Sequence, residues 1–406
     1  MKVYLGIDWS ERKHDVCMIN ECGEVLQQLV ISHTPEGFLE LDRARRKMEI
    51  EACECVVGLE TAHNLLVDFL WDQGYEQVYV LPPNAVKSAQ GRYRQSGAKS
   101  DASDARLIAD ILRTDQGRYM AWVPDLALTR QMRAKVSLII FLTHSIVRTE
   151  NRLRAVLLRY YPAALEVFSS LDAQITLAFI QEYSLPQAAA QLTFEQFKVF
   201  LKQHRHKQPK KWPGCYARLQ RPQPQADPAI LAVYSSEARL LANLLGELAH
   251  AKTKALQELE LLYQQHPDHE IYSSLPGIGP FLGPGLLSKF GDDRHHFPSP
   301  SVVQAIAGTC PVTVASGKKN VPLFRLACDH EFRYIAQQWA KQTIHLSPWA
   351  HAYYANTRPH CHSDNDAYRR LANRWLAIVW KLWMDRKPYN ETKHLKQKAL
   401  RSLPRP

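Results

Sequence analysis

Residues 3–9, VYLGIDW, and residues 55–60, CVVGLE, are short apolar runs that each end in an acid, Asp8 and Glu60. Runs of this length, rich in β-branched residues and bounded by turn residues, predict strands buried in a sheet. Residues 14–20 and 25–31 are further such runs with Asn20 and Gly23 between them, so the first three strands follow one another in hairpin order. A helical stretch runs from Pro35 to Lys47 ahead of CVVGLE; Leu65–Gln73 reads as a helix and Val78–Leu81 as a strand before Pro82-Pro83. The order βββαβαβα predicts a mixed α/β sheet. Residues 99–113, KSDASDARLIADILR, open the next helix, which Ser100 or Asp101 can cap and whose apolar stripe is Leu107, Ile108, Ile111 and Leu112.

Four carboxylates stand at informative places. Asp8 and Glu60 end strands, and strand ends of an α/β sheet are where sites collect. Asp101 and Asp104 are three apart at a helix start and share one helix face. Convergence of four acids needs a cation, because two like charges ~4 Å apart repel by about 4 kcal/mol at an effective dielectric of 20. Oxygen-only ligands favour Mg²⁺ or Mn²⁺ over zinc. A pair of such ions stabilises the attacking and leaving oxygens of a phosphoryl transfer.

The chain of 406 residues is 46% hydrophobic and 22% charged, ordinary values for a globular protein of two or three domains. No apolar run is long enough for a membrane span, and the first residues run straight into a strand instead of a signal core. A cytoplasmic protein is expected. Eight scattered cysteines without a CxxC read as buried free thiols. The net charge is +11, which points to a polyanionic partner. Basic residues cluster: 202–221 holds seven Lys or Arg and no acid, Lys210 and Lys211 among them, and 386–406 holds seven against Glu391 alone. Clusters of this kind suit a phosphate-tracking surface.

Beyond residue 125 the pattern turns helical. Met132, Ile139, Ile146 and Leu153 recur every seven residues, with Val136 and Leu157 at the companion position. Leu241, Leu248, Ala255 and Leu262 repeat the pattern, accompanied by Leu245 and Leu259. Two long heptad-like helices predict a coiled-coil arm or dimer contact, its seams interrupted at Thr143, Glu150 and Lys252. Between them, 204–228 is rich in Pro, Gln and basic residues and reads as an exposed insertion, with Trp212 and Tyr216 as base-stacking candidates. Residues 275–291, LPGIGPFLGPGLLSKFG, resemble a helix-hairpin-helix element whose Gly277 and Gly279 expose backbone N–H groups to phosphate. The region 270–385 is otherwise mostly helical. Within it, GTCPVTVASGKKN (308–320) sets Ser316 on a Gly-flanked turn beside Lys318 and Lys319, cations that would offset phosphate charge during attack on a phosphodiester. His360-Cys361-His362 lies in a loop.

GIDWSERKHDV, VVGLE and KSDASDARLIADIL together resemble the three acidic motifs of the DEDD transposases of the insertion sequence 110 family, recombinases that work with a bridge RNA. The resemblance covers 1–150 and 270–385. It implies a RuvC-like, ribonuclease-H-type first domain whose four acids fall on Asp8, Glu60, Asp101 and Asp104, binding Mg²⁺ or Mn²⁺. It implies a second, transposase domain whose nucleophile falls on Ser316 in the Pro-x-x-x-x-Ser-Gly context begun by Pro311, although Thr309 and Cys310 replace small apolar residues. The expected organisation is therefore α/β plus α: a RuvC-like catalytic domain at 1–125, a helical coiled-coil arm at 126–268, a transposase domain at 269–386 and a basic tail at 387–406. The expected partners are donor and target DNA, a bridge-type noncoding RNA and further copies of the chain, as a dimer or tetramer. A RuvC-like nuclease that only hydrolyses junctions, without a covalent intermediate, is the alternative. A noncatalytic nucleic-acid-binding relative would need a broken acid set, and this one is intact.

Overall fold

A computed structural model describes residues 2–60, 65–92, 101–316 and 319–402; for Arg92, Asp101, Ser316, Lys319, Asn320 and 397–402 it describes the backbone alone. The chain divides into two compact units, Met1–Pro124 and Asp125–Pro406.

In the first unit, strands Val3–Trp9 (β1), Lys13–Ile19 (β2) and Val25–Ser32 (β3) form an antiparallel meander. Helix Pro35–Lys47 (α1) leads to Cys55–Leu59 (β4), then Leu65–Asp72 (α2), Gln77–Val80 (β5), Pro83–Ala89 (α3) and Asp101–Asp115 (α4). The sheet order is β3-β2-β1-β4-β5, with β4 parallel to β1 and β5 parallel to β4. Alternation along the strands sorts side chains onto two faces. Val3, Leu5, Ile7, Val16, Met18, Val57 and Leu59 pack toward α1 and α2. Tyr4, Cys17, Ile19 and Val56 pack toward α4, whose Leu107, Ile108, Ile111 and Leu112 are all buried there as the stripe predicts.

The second unit is built on two long helices, Ala127–Tyr160 (α5) and Pro228–Gln264 (α11). They run antiparallel: Thr129 bonds His266 at one end, Lys135 pairs with Glu258 further on, and Arg152 pairs with Glu237 toward the other end. The heptad residues face the seam, with Met132, Val136, Ile139, Leu153, Leu157, Leu245, Ala255 and Leu259 all buried. The interruptions fall between two cores. Neither 143–152 nor 246–254 contributes a buried residue; Thr143 Oγ1 bonds back to Ile139 O and Glu150 pairs with Arg154.

At the far end of the pair, Ala164–Val167 (α6), Gln174–Glu182 (α7), Pro186–Ala190 (α8), Phe194–Gln203 (α9) and Trp212–Leu219 (α10) fold into a cap with its own core of Tyr160, Phe179, Phe197 and Phe200. Part of the expected exposed insertion 204–228 is thus helical and packed, because Trp212, Cys215 and Leu219 fall on one helix face and are buried.

At the near end, His269–Ser273 (α12), Leu282–Phe290 (α13), Pro300–Ile306 (α14), strands Val312–Ser316 (β6) and Lys319–Leu323 (β7), then His330–Thr343 (α15), Pro348–Thr357 (α16), Asp364–Asp385 (α17) and Glu391–Ser402 (α18) enclose a core centred on Trp339, Trp375 and Trp383. The region is mostly helical as expected, with the β6–β7 ribbon as its strand element among the described residues. The basic tail carries helix α18, and Glu391 at its start accepts hydrogen bonds from Ser347 and Tyr389. All eight cysteines are free, but only Cys17, Cys55 and Cys215 are buried, and Cys22 and Cys53 are exposed. Among the described residues no helix is long and apolar enough to cross a membrane.

Candidate active site

The first unit gathers carboxylates at one end of one sheet face. Parallel register sets Ile7 against Leu59 as the last pair of the ladder, so Asp8 and Glu60 each stand one residue beyond it at the C-terminal ends of neighbouring strands, Glu60 exposed in the bend that follows β4. Asp8 continues the face that holds Tyr4, Val56 and the two glycines Gly6 and Gly58, the face covered by α4. The approach of α4 depends on Gly6: a Cβ there would stand 1.9 Å from the Ala105 carbonyl oxygen and 2.5 Å from the Ala109 amide nitrogen. Gly58 lies under Ile108 and Leu112. Helix α4 therefore runs against the direction of β1, and its first turn overhangs the strand ends. Asp104, 6% exposed, directly precedes the Ala105 that rests on Gly6. The Asp101 backbone opens the same turn, while its side chain lies outside the described residues.

A fifth acid joins the row. Asp15 on β2 pairs directly with Asp8 and shares the α4 face with Cys17 and Ile19. It is 9% exposed, and among the described residues its carboxylate has no hydrogen-bond or ion-pair partner. Across the sheet the order is Asp15, Asp8, Glu60, with Asp104 above. Sequence reading passed over Asp15 because it interrupts an apolar strand without ending it; strand register is the signal that places it.

Beneath Asp8, on the opposite face, Trp9, His14, His33 and Phe38 form an aromatic cluster that anchors the strand end. The Ser10 amide donates to His14 Nδ1, so Nε2 carries the proton and donates to His33 Nδ1 at 2.9 Å. Burial, reinforced by His33, lowers the His14 pKa to about 4 and keeps the ring neutral.

An oxygen-only donor set suits a hard divalent cation in chemistry. The described side chains do not form a finished ligand shell: among the described residues no group of three His, Cys, Asp or Glu stands close enough to hold a metal.

The second unit carries the other expected residues. Ser316 closes β6 and pairs with Lys319 at the tip of the ribbon; Lys318 lies outside the described residues, as do the side chains of Ser316 and Lys319. Thr309 is buried at the ribbon root, where its hydroxyl donates to Asn373 Oδ1 at 3.0 Å. Gly277 has φ +73°, a left-handed conformation that favours glycine, and it packs on Gln342. Among the described residues neither the Gly277 nor the Gly279 N–H has a partner, as a phosphate-binding turn requires. Lys210 and Lys211 are exposed in a 3₁₀ turn ahead of α10. Trp212 is not available for base stacking: it is buried and its Nε1 donates to His206 Nδ1 at 2.9 Å. Tyr216 is half-buried, with its hydroxyl on Leu192 O.

Comparison with known proteins agrees with the motifs. Residues 5–162 match a family described as "Transposase", of the DEDD IS110 type, and residues 269–355 match one described as "Transposase IS116/IS110/IS902 family". A mini-circle transposase assigned to IS117 in Streptomyces coelicolor is 29% identical over 400 residues, covering 96% of each chain. The 44.8 kDa protein of insertion element IS116 from Streptomyces clavuligerus is 24% identical, covering 98% of each. The 42 kDa protein of insertion element IS900 from Mycobacterium paratuberculosis is 24% identical over 96% of this chain and 97% of its own. With the acidic motifs in the first matched segment and the Ser316 ribbon in the second, the chain belongs to the insertion-sequence 110 family of DEDD transposases.

Proposed function

We propose that this transposase cuts and rejoins DNA with Ser316 as nucleophile and with Asp8, Glu60, Asp101 and Asp104 as the ligands of Mg²⁺ or Mn²⁺. The observation that supports the acidic half is the register of β1 on β4, whose ladder ends at Ile7 and Leu59, one residue before Asp8 and Glu60, with α4 seated on Gly6. The sheet order β3-β2-β1-β4-β5 supports a RuvC-like identity for this unit.

A divalent ion held there would stabilise charge on the attacking and leaving oxygens of a phosphoryl transfer. Asp15 adds a further negative charge to the row. Ser316 Oγ forms a bond to phosphorus as the P–O bond to one deoxyribose breaks; the serine proton passes to a base and the departing sugar oxygen is protonated. The resulting phosphoserine ester conserves the phosphodiester's energy, so a second sugar hydroxyl can displace Ser316 and rejoin the strand. Lys318 and Lys319 offset phosphate charge beside the serine, and the unpartnered N–H groups of Gly277 and Gly279 hold the DNA backbone. Lys210 and Lys211, exposed on the cap, would hold a guide RNA of the bridge type. Exchange between two duplexes calls for a dimer or tetramer, acting in the cytoplasm at the nucleoid, with the long helical pair as a coiled-coil arm.

The test is covalent capture. The full chain is incubated with Mg²⁺, RNA transcribed from the flanking noncoding DNA, and labelled donor and target DNA. Wild type, Ser316→Ala and Asp8→Ala are then compared on a denaturing gel. An adduct present in wild type, lost in Ser316→Ala and strongly reduced in Asp8→Ala is expected. Metal-dependent cleavage that survives Ser316→Ala without any adduct would leave a RuvC-like nuclease that only hydrolyses.

A further inference from the structure

The cleft at the root of the Ser316 ribbon is lined by charge from two helices. It has a volume of about 1050 Å³ and lies between β7, α15 and α17. Asp366, Arg369, Arg370, Asn373 and Arg374 follow one another at three- and four-residue spacing and so form a single stripe along α17. Arg333 enters from α15. Four guanidinium groups against one carboxylate leave the cleft strongly positive.

The guanidiniums are held in place with a single carboxylate among them. Phe324, just past β7, lies under two of them: the Arg333 guanidinium carbon is 4.5 Å from its ring centre and that of Arg369 is 4.9 Å. Such stacking fixes the plane of a guanidinium and leaves its N–H edge free. Asp366 holds Arg369 and Arg370 together, with Arg370 Nη2 at 3.1 Å. Arg333 Nη2 donates to Arg325 O, yet among the described residues its Nε is buried without any partner. Arg374 is exposed and has no partner among the described residues. An unpartnered donor and an excess of fork-shaped cations match phosphate oxygens.

The location supplies the rest. The Thr309–Asn373 hydrogen bond fastens the ribbon root to the α17 stripe. Register runs from Val312–Leu323 at the cleft to Ser316–Lys319 at the tip, four residue steps, or about 13 Å. Phosphates of one B-form strand recur about every 3.4 Å along the axis, so that span covers about four of them.

We propose that this cleft is a sequence-independent clamp on DNA phosphates, engaging the strand roughly four nucleotides from the phosphodiester presented to Ser316. The position of the clamp rests on the serine reading; binding of DNA phosphate by the cleft does not.

The test uses the full-length protein and a labelled DNA duplex, with an RNA of the same sequence as a second probe, titrated between low and moderate salt. Arg370→Gln/Arg374→Gln is compared with Arg370→Lys/Arg374→Lys and wild type. Each phosphate contact contributes about 0.9 to the slope of log affinity against log salt, so the Gln pair should lower the DNA slope by about 2 and the Lys pair should restore it. An unchanged DNA slope in the Gln pair, or a loss confined to RNA, overturns the clamp. If the Gln pair melts lower than wild type, the Lys pair becomes the reference, and Phe324→Leu, which frees the stacked guanidiniums, must weaken DNA binding. Methylphosphonates walked along the strand should weaken wild type about four nucleotides from the cut and leave the Gln pair unaffected. A slope that falls while no Ser316 adduct forms would keep the clamp and remove the serine reading. An adduct that forms with an unchanged slope would do the reverse.

Discussion

Replacing Gly6 by alanine tests whether the seat of α4 on β1 builds the site. The added Cβ would stand 1.9 Å from the Ala105 carbonyl oxygen, where ordinary contact begins at 3.4 Å, and that oxygen belongs to helix backbone that cannot rotate away. The first turn of α4 must therefore lift by about 1.5 Å, the difference of those two distances. Overpacking of this kind costs about 1–3 kcal/mol of stability. The functional cost is larger, because moving a positioned group by ~1 Å commonly costs about 100-fold in rate, and the lifted turn carries Asp101 and Asp104. Gly58→Ala is the control. Its Cβ would meet the Leu112 Cδ1 and Ile108 Cγ2 methyl groups at 2.7 and 2.8 Å, side-chain atoms and not helix backbone. Both variants are unfolded in urea and assayed for strand cleavage at saturating Mg²⁺, with rates normalised to folded protein. Gly6→Ala should lose about two orders of magnitude in rate while Gly58→Ala stays within about tenfold of wild type. If Gly6→Ala cleaves as wild type does, or if the two alanines are equally damaging, the helix seat does not position the acids.

Three further outcomes are expected. Asp15→Asn keeps shape and removes one charge from the acid row, so half-maximal cleavage should need about tenfold more Mg²⁺ with melting unchanged; an unaltered metal titration would place Asp15 outside the site. His14, neutral in the fold with a pKa of about 4 against 6.5 unfolded, should cost stability as the solution is acidified: full stability holds above pH 6.5, and about 3 kcal/mol is lost progressively down to pH 4. His14→Phe should flatten that window in acid denaturation, and an identical pH profile would contradict the assignment. Trp212→Ala should lower cap stability by about 3–5 kcal/mol, seen as faster amide exchange in α7, α9 and α10. Unchanged exchange together with weaker RNA binding would return Trp212 to a stacking role.

The local grammar of the first unit was readable because its strands and helix each carry one clear period. VYLGIDW and CVVGLE end where strands end, and Leu107, Ile108, Ile111 and Leu112 face the sheet. Asp15 was hidden because nothing local distinguishes it; only pairing with β1 brings it beside Asp8. The ribbon escaped a helical reading because Pro322 within five residues weakens a strand signal, yet a two-stranded ribbon leaves edges where a proline costs no ladder bond. The cap is built from short helices whose stripes of one or two turns are too brief to announce a period, and the positive composition of 202–221 outweighed the buried Trp212, Cys215 and Leu219. Arg333 and Arg374 are remote in sequence and meet only when α15 and α17 pack.

The antiparallel pairing of α5 with α11 has a genetic corollary. Thr129 meets His266 and Arg152 meets Glu237, so each residue on the outward helix has a fixed counterpart on the returning one. An insertion or deletion in one helix throws every later partner out of step and rotates the stripe away from its seam. Length can change only by paired events, two segments about a hundred residues apart gaining or losing nearly the same number of residues, in steps close to seven. Among relatives with longer or shorter arms, gaps in the two segments should therefore appear together, with the cap carried outward or inward intact between them.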